Sequence, residues 1–98
     1  MKRQRAVITE PAQEDLDGVL GYLVVRNADA ALALLDDVEE SVSLLAQGLL
    51  EGREVTLSTG ERVRRFVVRA LVIYYYRRDA DALRVLHVRD ARREPLER

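Results

Sequence analysis

Arg62-Val63-Arg64-Arg65-Phe66-Val67-Val68-Arg69-Ala70-Leu71-Val72-Ile73-Tyr74-Tyr75-Tyr76-Arg77-Arg78-Asp79-Ala80-Asp81-Ala82-Leu83-Arg84-Val85-Leu86-His87-Val88-Arg89-Asp90 is the stretch whose reading decides the fold. It holds three runs rich in Val, Ile, Tyr and Phe, broken at Arg69-Ala70 and again at Arg78-Asp79-Ala80-Asp81. Residues of these types pack well on a pleated surface, and short polar breaks between them predict an antiparallel three-strand meander. In the middle run, alternation puts Leu71, Ile73 and Tyr75 on one face and Val72, Tyr74 and Tyr76 on the other. Both faces are apolar, so this strand is predicted to be an inner one, covered at least partly on each side.

The preceding half of the chain supplies one cover. Arg5-Ala6-Val7-Ile8 is short and β-prone and predicts a first strand. Thr9 can cap a helix that follows, Pro11 falls where no intrahelical amide is lost, and Glu10, Glu14 and Asp15 suit the positive end of the helix dipole. Leu16, Val19, Leu20, Leu23 and Val24 then recur with helical spacing. Gly18 and Gly21 each lower the propensity of this helix by about 1 kcal/mol relative to alanine, so packing must hold it. After Arg26-Asn27-Ala28, with Asn27 or Asp29 as cap, a second helix carries Leu34 or Leu35, Val38, Val42 and Leu45 on its stripe. Gln47-Gly48 stops it. Leu49 to Gly60 is a linker expected to be mostly irregular, in which Glu54-Val55-Thr56-Leu57 could form a short extended piece. The predicted fold is α+β, in the order β-α-α-β-β-β: a small antiparallel sheet with an N-terminal strand, an αα-hairpin packed on one face and a C-terminal three-strand meander. For the second face only the tail, Ala91 to Arg98, remains, which makes that face a candidate partner surface.

Ninety-eight residues predict a single domain, 1–98. With no cysteine, neither a disulfide nor a thiolate metal site can form, which fits a reducing compartment. No apolar run approaches the roughly 18 residues of a membrane span, and Ala6-Val7-Ile8 after the basic start is too short for a signal-peptide core. The expected location is the cytoplasm. Residues 1–52 hold 4 Lys/Arg and 10 Asp/Glu, whereas residues 53–98 hold 12 and 7. This asymmetry fits either a charged partner, nucleic acid or an acidic protein segment, or two halves that neutralise each other within one fold.

One histidine argues against a zinc site, and Gly48 to Gly52 lacks the Lys-Ser/Thr and following helix of a phosphate loop. Neither a metal nor a cofactor is expected. His87 alternates with Leu83 and Val85, which predicts that it points to an apolar face, where a lone histidine is more often structural than catalytic. Most of the arginines are assigned to solubility and to ion pairing with the acidic helices.

The element order, together with Ile8-Thr9-Glu10-Pro11-Ala12-Gln13-Glu14-Asp15-Leu16, Gly21-Tyr22-Leu23 and the strand runs Val63 to Val68, Val72 to Arg77 and Leu83 to Asp90, resembles the RelE/ParE superfamily of type II toxin–antitoxin toxins. The ending Arg84-Val85-Leu86-His87-Val88-Arg89-Asp90 is especially similar to the ParE branch. The resemblance implies a toxin that poisons DNA gyrase by protein–protein interaction, needs no cofactor and is neutralised by a cognate antitoxin with an acidic or amphipathic C-terminal segment. On this reading Arg64, Arg65, Tyr74, Tyr76, Arg77, Arg84, His87 and Arg89 form the partner-binding surface. The alternative within the superfamily is a RelE-like, ribosome-dependent mRNA endoribonuclease, for which His87, Arg84 and Arg65 would be the acid–base and charge-stabilising set. Against it stand the thin set of candidates, a chain with no lysine after Lys2, and a tail without a tyrosine. A third reading is a diverged relative that acts only as a binding partner. Direct contact with nucleic acid is left open.

Overall fold

Two helices and five strands follow one another as β1 (Arg5–Ile8), α1 (Glu10–Arg26), α2 (Ala28–Gln47), β2 (Arg53–Thr56), β3 (Arg62–Val68), β4 (Leu71–Asp79) and β5 (Ala82–Asp90). The computed structural model describes residues 5–79, 82–93 and 95–97; Ala80 and Asp81 of the second predicted break lie outside them. The strands form one sheet in the order β1-β5-β4-β3-β2, which is the predicted α+β arrangement with the short linker piece recruited as an edge strand. β2 to β5 pair antiparallel, but β1 runs parallel to β5, so the sheet as a whole is mixed. No hairpin dictates the direction of β1, because nearly the whole chain lies between it and β5. Thr9 continues the pairing past the strand end: its N–H and its hydroxyl both donate to the Val85 carbonyl, at 3.1 and 2.8 Å.

The same Thr9 hydroxyl accepts the Ala12 N–H at the start of α1, so one residue ends β1 and caps the helix. Asn27 alone separates the two helices. Its N–H donates to Leu23 at the end of α1, and its side chain accepts from Ala30 to cap α2. Gly48, with φ of 79°, closes α2 in the left-handed conformation that glycine adopts without strain. The last turn of α2 has no basic residue of its own; the Arg77 guanidinium, from β4, donates to the Leu45 carbonyl instead.

Leu16, Leu34, Val38, Val42 and Leu45 pack against Ile73, Tyr75, Leu83, Val85 and Val88 on the helix-facing side of the sheet. Full burial of each such aliphatic side chain contributes about 1.5–3 kcal/mol. Val24, expected on the α1 stripe, is instead 49% exposed, whereas Val19, Leu20 and Leu23 of the same stripe pack against the helix-side core. A second, smaller cluster of Leu57, Val63, Val72 and Tyr74, joined by Val55, Leu86 and Leu96, lies on the opposite face. Both faces of β4 are thus covered, the second by the loop after β2 and by the tail.

The expected phase of β5 holds only to its midpoint. Tyr74 pairs with His87 but Tyr75 pairs with Val85, so Leu86 is an extra residue, a β-bulge. Beyond it Val88, not His87, joins Leu83 and Val85 in the helix-side core. The prediction that His87 points to the apolar face is therefore corrected; its side chain is 42% exposed. No helix among the described residues is long and apolar enough to cross a membrane.

Candidate functional site

The second face of the sheet carries the distinctive chemistry. Strand alternation opposite the helix-side residues brings Arg53 of β2, Arg65 of β3, Tyr74 and Tyr76 of β4, and Arg84 and Arg89 of β5 to this side. Register aligns them further: Arg53 lies opposite Arg65, Arg65 opposite Tyr74, and Tyr76 opposite Arg84. A cationic, tyrosine-bearing surface thus surrounds the small apolar cluster of Val63, Val72, Tyr74 and Leu86.

The tail lies across this surface. Leu96 joins the apolar cluster, its carbonyl accepts the Ser58 N–H at 2.9 Å, and Leu57 forms an antiparallel bridge with Glu97. Tyr74, fully buried, accepts the Leu96 N–H at 3.2 Å and donates its own hydroxyl to Glu97 Oε1 at 2.5 Å. Burial pushes the Tyr74 phenol above its ordinary pKa and the Glu97 carboxylate adds to this, while the Leu96 N–H and Arg65 oppose it. Glu97 Oε2 lies 3.0 Å from Arg65 Nε and 3.7 Å from Arg53 Nη2, with the Glu97 side chain only 12% exposed. The Arg65 Nε–H is nonetheless buried without a hydrogen-bond acceptor among the described residues, so its pairing with Glu97 is ionic rather than an aligned bond. Arg84 Nε is buried in the same condition.

The remaining residues named from the sequence are held elsewhere. Arg64 donates to the Gly52 carbonyl at 2.7 Å and pairs with Glu51 at 3.1 Å. Together with Arg77 it lines a cleft beside the end of α2, where Tyr75 and Tyr76 also contribute. His87 Nδ1 lies 3.7 Å from Asp15 Oδ2 of α1, and the same carboxylate oxygen accepts the Val88 N–H at 3.1 Å. His87 thus lies beside a carboxylate of α1 and Arg65 beside a carboxylate of the tail, while the Arg84 Nε is buried without an acceptor among the described residues. Among the described residues no cluster of His, Cys, Asp or Glu is placed to hold a metal ion. Sequence reasoning singled out Arg65 and Tyr74 but missed Arg53 and Glu97. The available signal was that a buried tyrosine hydroxyl needs a partner and that only the tail was left to supply one.

With this geometry in hand, comparison with known structures places the fold in a class. The chain is similar to a chain of a solved structure described as the chromosomal ParDE TA system from P. aeruginosa, with a TM-score of 0.72 and 20% identity over 90% of this chain and 96% of that one. The family described as the ParE toxin of type II toxin–antitoxin system, parDE, matches residues 6–95. The chain belongs to this ParE toxin family. No curated protein matches it.

Proposed function

We propose that this ParE-type toxin arrests growth by poisoning DNA gyrase in the cytoplasm and that a cognate antitoxin neutralises it by covering the second face of the sheet. The observation that carries the reading is the family match across residues 6–95. The chemistry of the second face supports it. Arg65, Arg84 and Arg89 with Tyr76 make a surface suited to an acidic or amphipathic segment, since charge complementarity steers encounter and aromatic and arginine side chains anchor interfaces. Tyr74 belongs to the same surface but lies beneath the tail. Arg64, Arg77 and His87 extend the proposed contact region around the sheet. Against the ribonuclease alternative stand the carboxylates beside two of its candidates, Asp15 by His87 and Glu97 by Arg65, because they would repel the phosphodiester that an acid–base pair must reach.

A gyrase supercoiling assay with the purified protein tests the proposal. Inhibition with accumulation of cleaved DNA is expected, and co-purified antitoxin relieves it. Normal supercoiling and no trapped cleavage complex at a large molar excess of toxin would overturn it.

A further inference from the structure

Glu97 behaves as a ligand as much as a part of the fold. Its carboxylate is gripped by a tyrosine hydroxyl and two arginines drawn from three strands, and the segment that carries it is held through backbone as well as side chain. Yet the grip is incomplete, since the buried Arg65 Nε–H has charge beside it but no aligned acceptor among the described residues. From this geometry we infer that Arg53, Arg65 and Tyr74 form a carboxylate-binding subsite for an acidic, extended segment of a partner protein, and that the chain's own Leu96-Glu97 occupies it until such a segment displaces it.

The inference rests on the proposed reading of the second face as a partner surface and names the chemistry recognised there. Three observations select a peptide carboxylate. The present occupant is a carboxylate on extended chain. The site reads backbone, with the Ser58 N–H taken by the Leu96 carbonyl and the Tyr74 hydroxyl taken in part by the Leu96 N–H. And the apolar patch of Val63, Val72 and Leu86 beside the arginines takes a hydrophobic neighbour, the place Leu96 fills now. A nucleic-acid backbone offers the charge but neither the peptide groups nor the aliphatic side chain. The tail is a weak competitor by construction: Arg65 gains a full hydrogen bond only from a carboxylate approaching in its N–H direction, and charge-assisted bonds of that kind are the strong ones.

The test uses the full chain and a blocked leucine–glutamate peptide as probe, with a single-stranded oligonucleotide of equal charge as control. The Glu97→Ala variant is expected to bind the peptide about tenfold more tightly than the original chain, and the Arg65→Gln change in that background to remove the gain. On the original chain, saturating peptide is expected to shift the backbone amide signals of Leu96 and Ser58 in the NMR spectrum, because their acceptors change. This second measurement decides the matter even if Glu97→Ala does not fold. Peptide binding that leaves Leu96 and Ser58 unmoved, no peptide binding at saturation, or equal displacement of the tail by the oligonucleotide overturns the inference. None of these outcomes depends on gyrase, so its failure and that of the proposed target are read separately.

Discussion

Gly52 is the glycine most closely approached by its surroundings, and its replacement by alanine should destabilise the fold. A Cβ at this position would lie 2.3 Å from the Arg65 carbonyl oxygen and 2.9 Å from its carbonyl carbon, both backbone atoms of β3. It would also lie 3.0 Å from the Tyr75 hydroxyl oxygen. Ordinary contacts between nonbonded heavy atoms are about 3.5–4.0 Å, so the segment leading into β2 must retreat by roughly 1 Å. That movement strains two bonds at once: the Gly52 N–H donates to Tyr75 Oη at 2.6 Å, and the Gly52 carbonyl accepts Arg64 Nη1 at 2.7 Å. Overpacking of a rigid site costs about 1–3 kcal/mol and each lost bond about 1 kcal/mol, so the expected destabilisation is roughly 2–5 kcal/mol. This is a large share of the ~5–15 kcal/mol typical of a domain, and it corresponds to a fall in Tm of at least about 8 °C. Urea unfolding followed by circular dichroism measures it. A loss below about 0.5 kcal/mol, the level of an unremarkable surface change, would refute the argued spacing between Gly52 and β3.

Other glycines should respond with the opposite sign or for another reason. Nothing lies within 4 Å of a Cβ built at Gly18 or Gly21, so Gly18→Ala and Gly21→Ala should each raise stability by up to about 1 kcal/mol in the same unfolding experiment. Gly48→Ala, at φ of 79°, should instead cost about 1–2 kcal/mol. The raised Tyr74 pKa means that the folded state favours the neutral phenol. Its stabilising contribution is therefore complete below the ordinary value of 10.0 and is lost as pH rises through the folded value; alkaline unfolding should be steeper for the original chain than for Tyr74→Phe. Asp90 behaves in the reverse sense. The Arg92 side chain and N–H hold its carboxyl down to about 2 from 3.8, so its contribution is present above 3.8 and is lost as pH falls through about 2. An NMR titration of Asp90 should move toward the ordinary value in Arg92→Ala.

Local pattern made most of the architecture legible. The bounds of β1, the Asn27 and Gly48 caps, the stripe of α2 and the two-faced burial of Leu71 to Tyr75 all follow from short-range spacing, because periodicity and capping are properties of neighbouring residues. The β3–β4 turn falls at the predicted break, Arg69-Ala70, although Arg69 holds a φ of 53° where glycine or asparagine would be more usual; its guanidinium is paired with Asp37 of α2.

What the sequence by itself determined is therefore both helices and every strand but the edge strand β2, the helical hairpin's place on one face and the basic, tyrosine-rich character of the other. Tertiary structure alone decided the parallel seat of β1, the bulge at Leu86 that takes His87 out of the core alternation, and the closing of the tail over Tyr74. Each depends on a choice among pairings between distant segments, and no local signal encodes it. A strand with no hairpin can join either edge in either direction. A bulge changes phase only relative to its partner strand. Glu97 meets Arg53 and Arg65 because β2, β3 and β4 have already assembled the cations that draw it in.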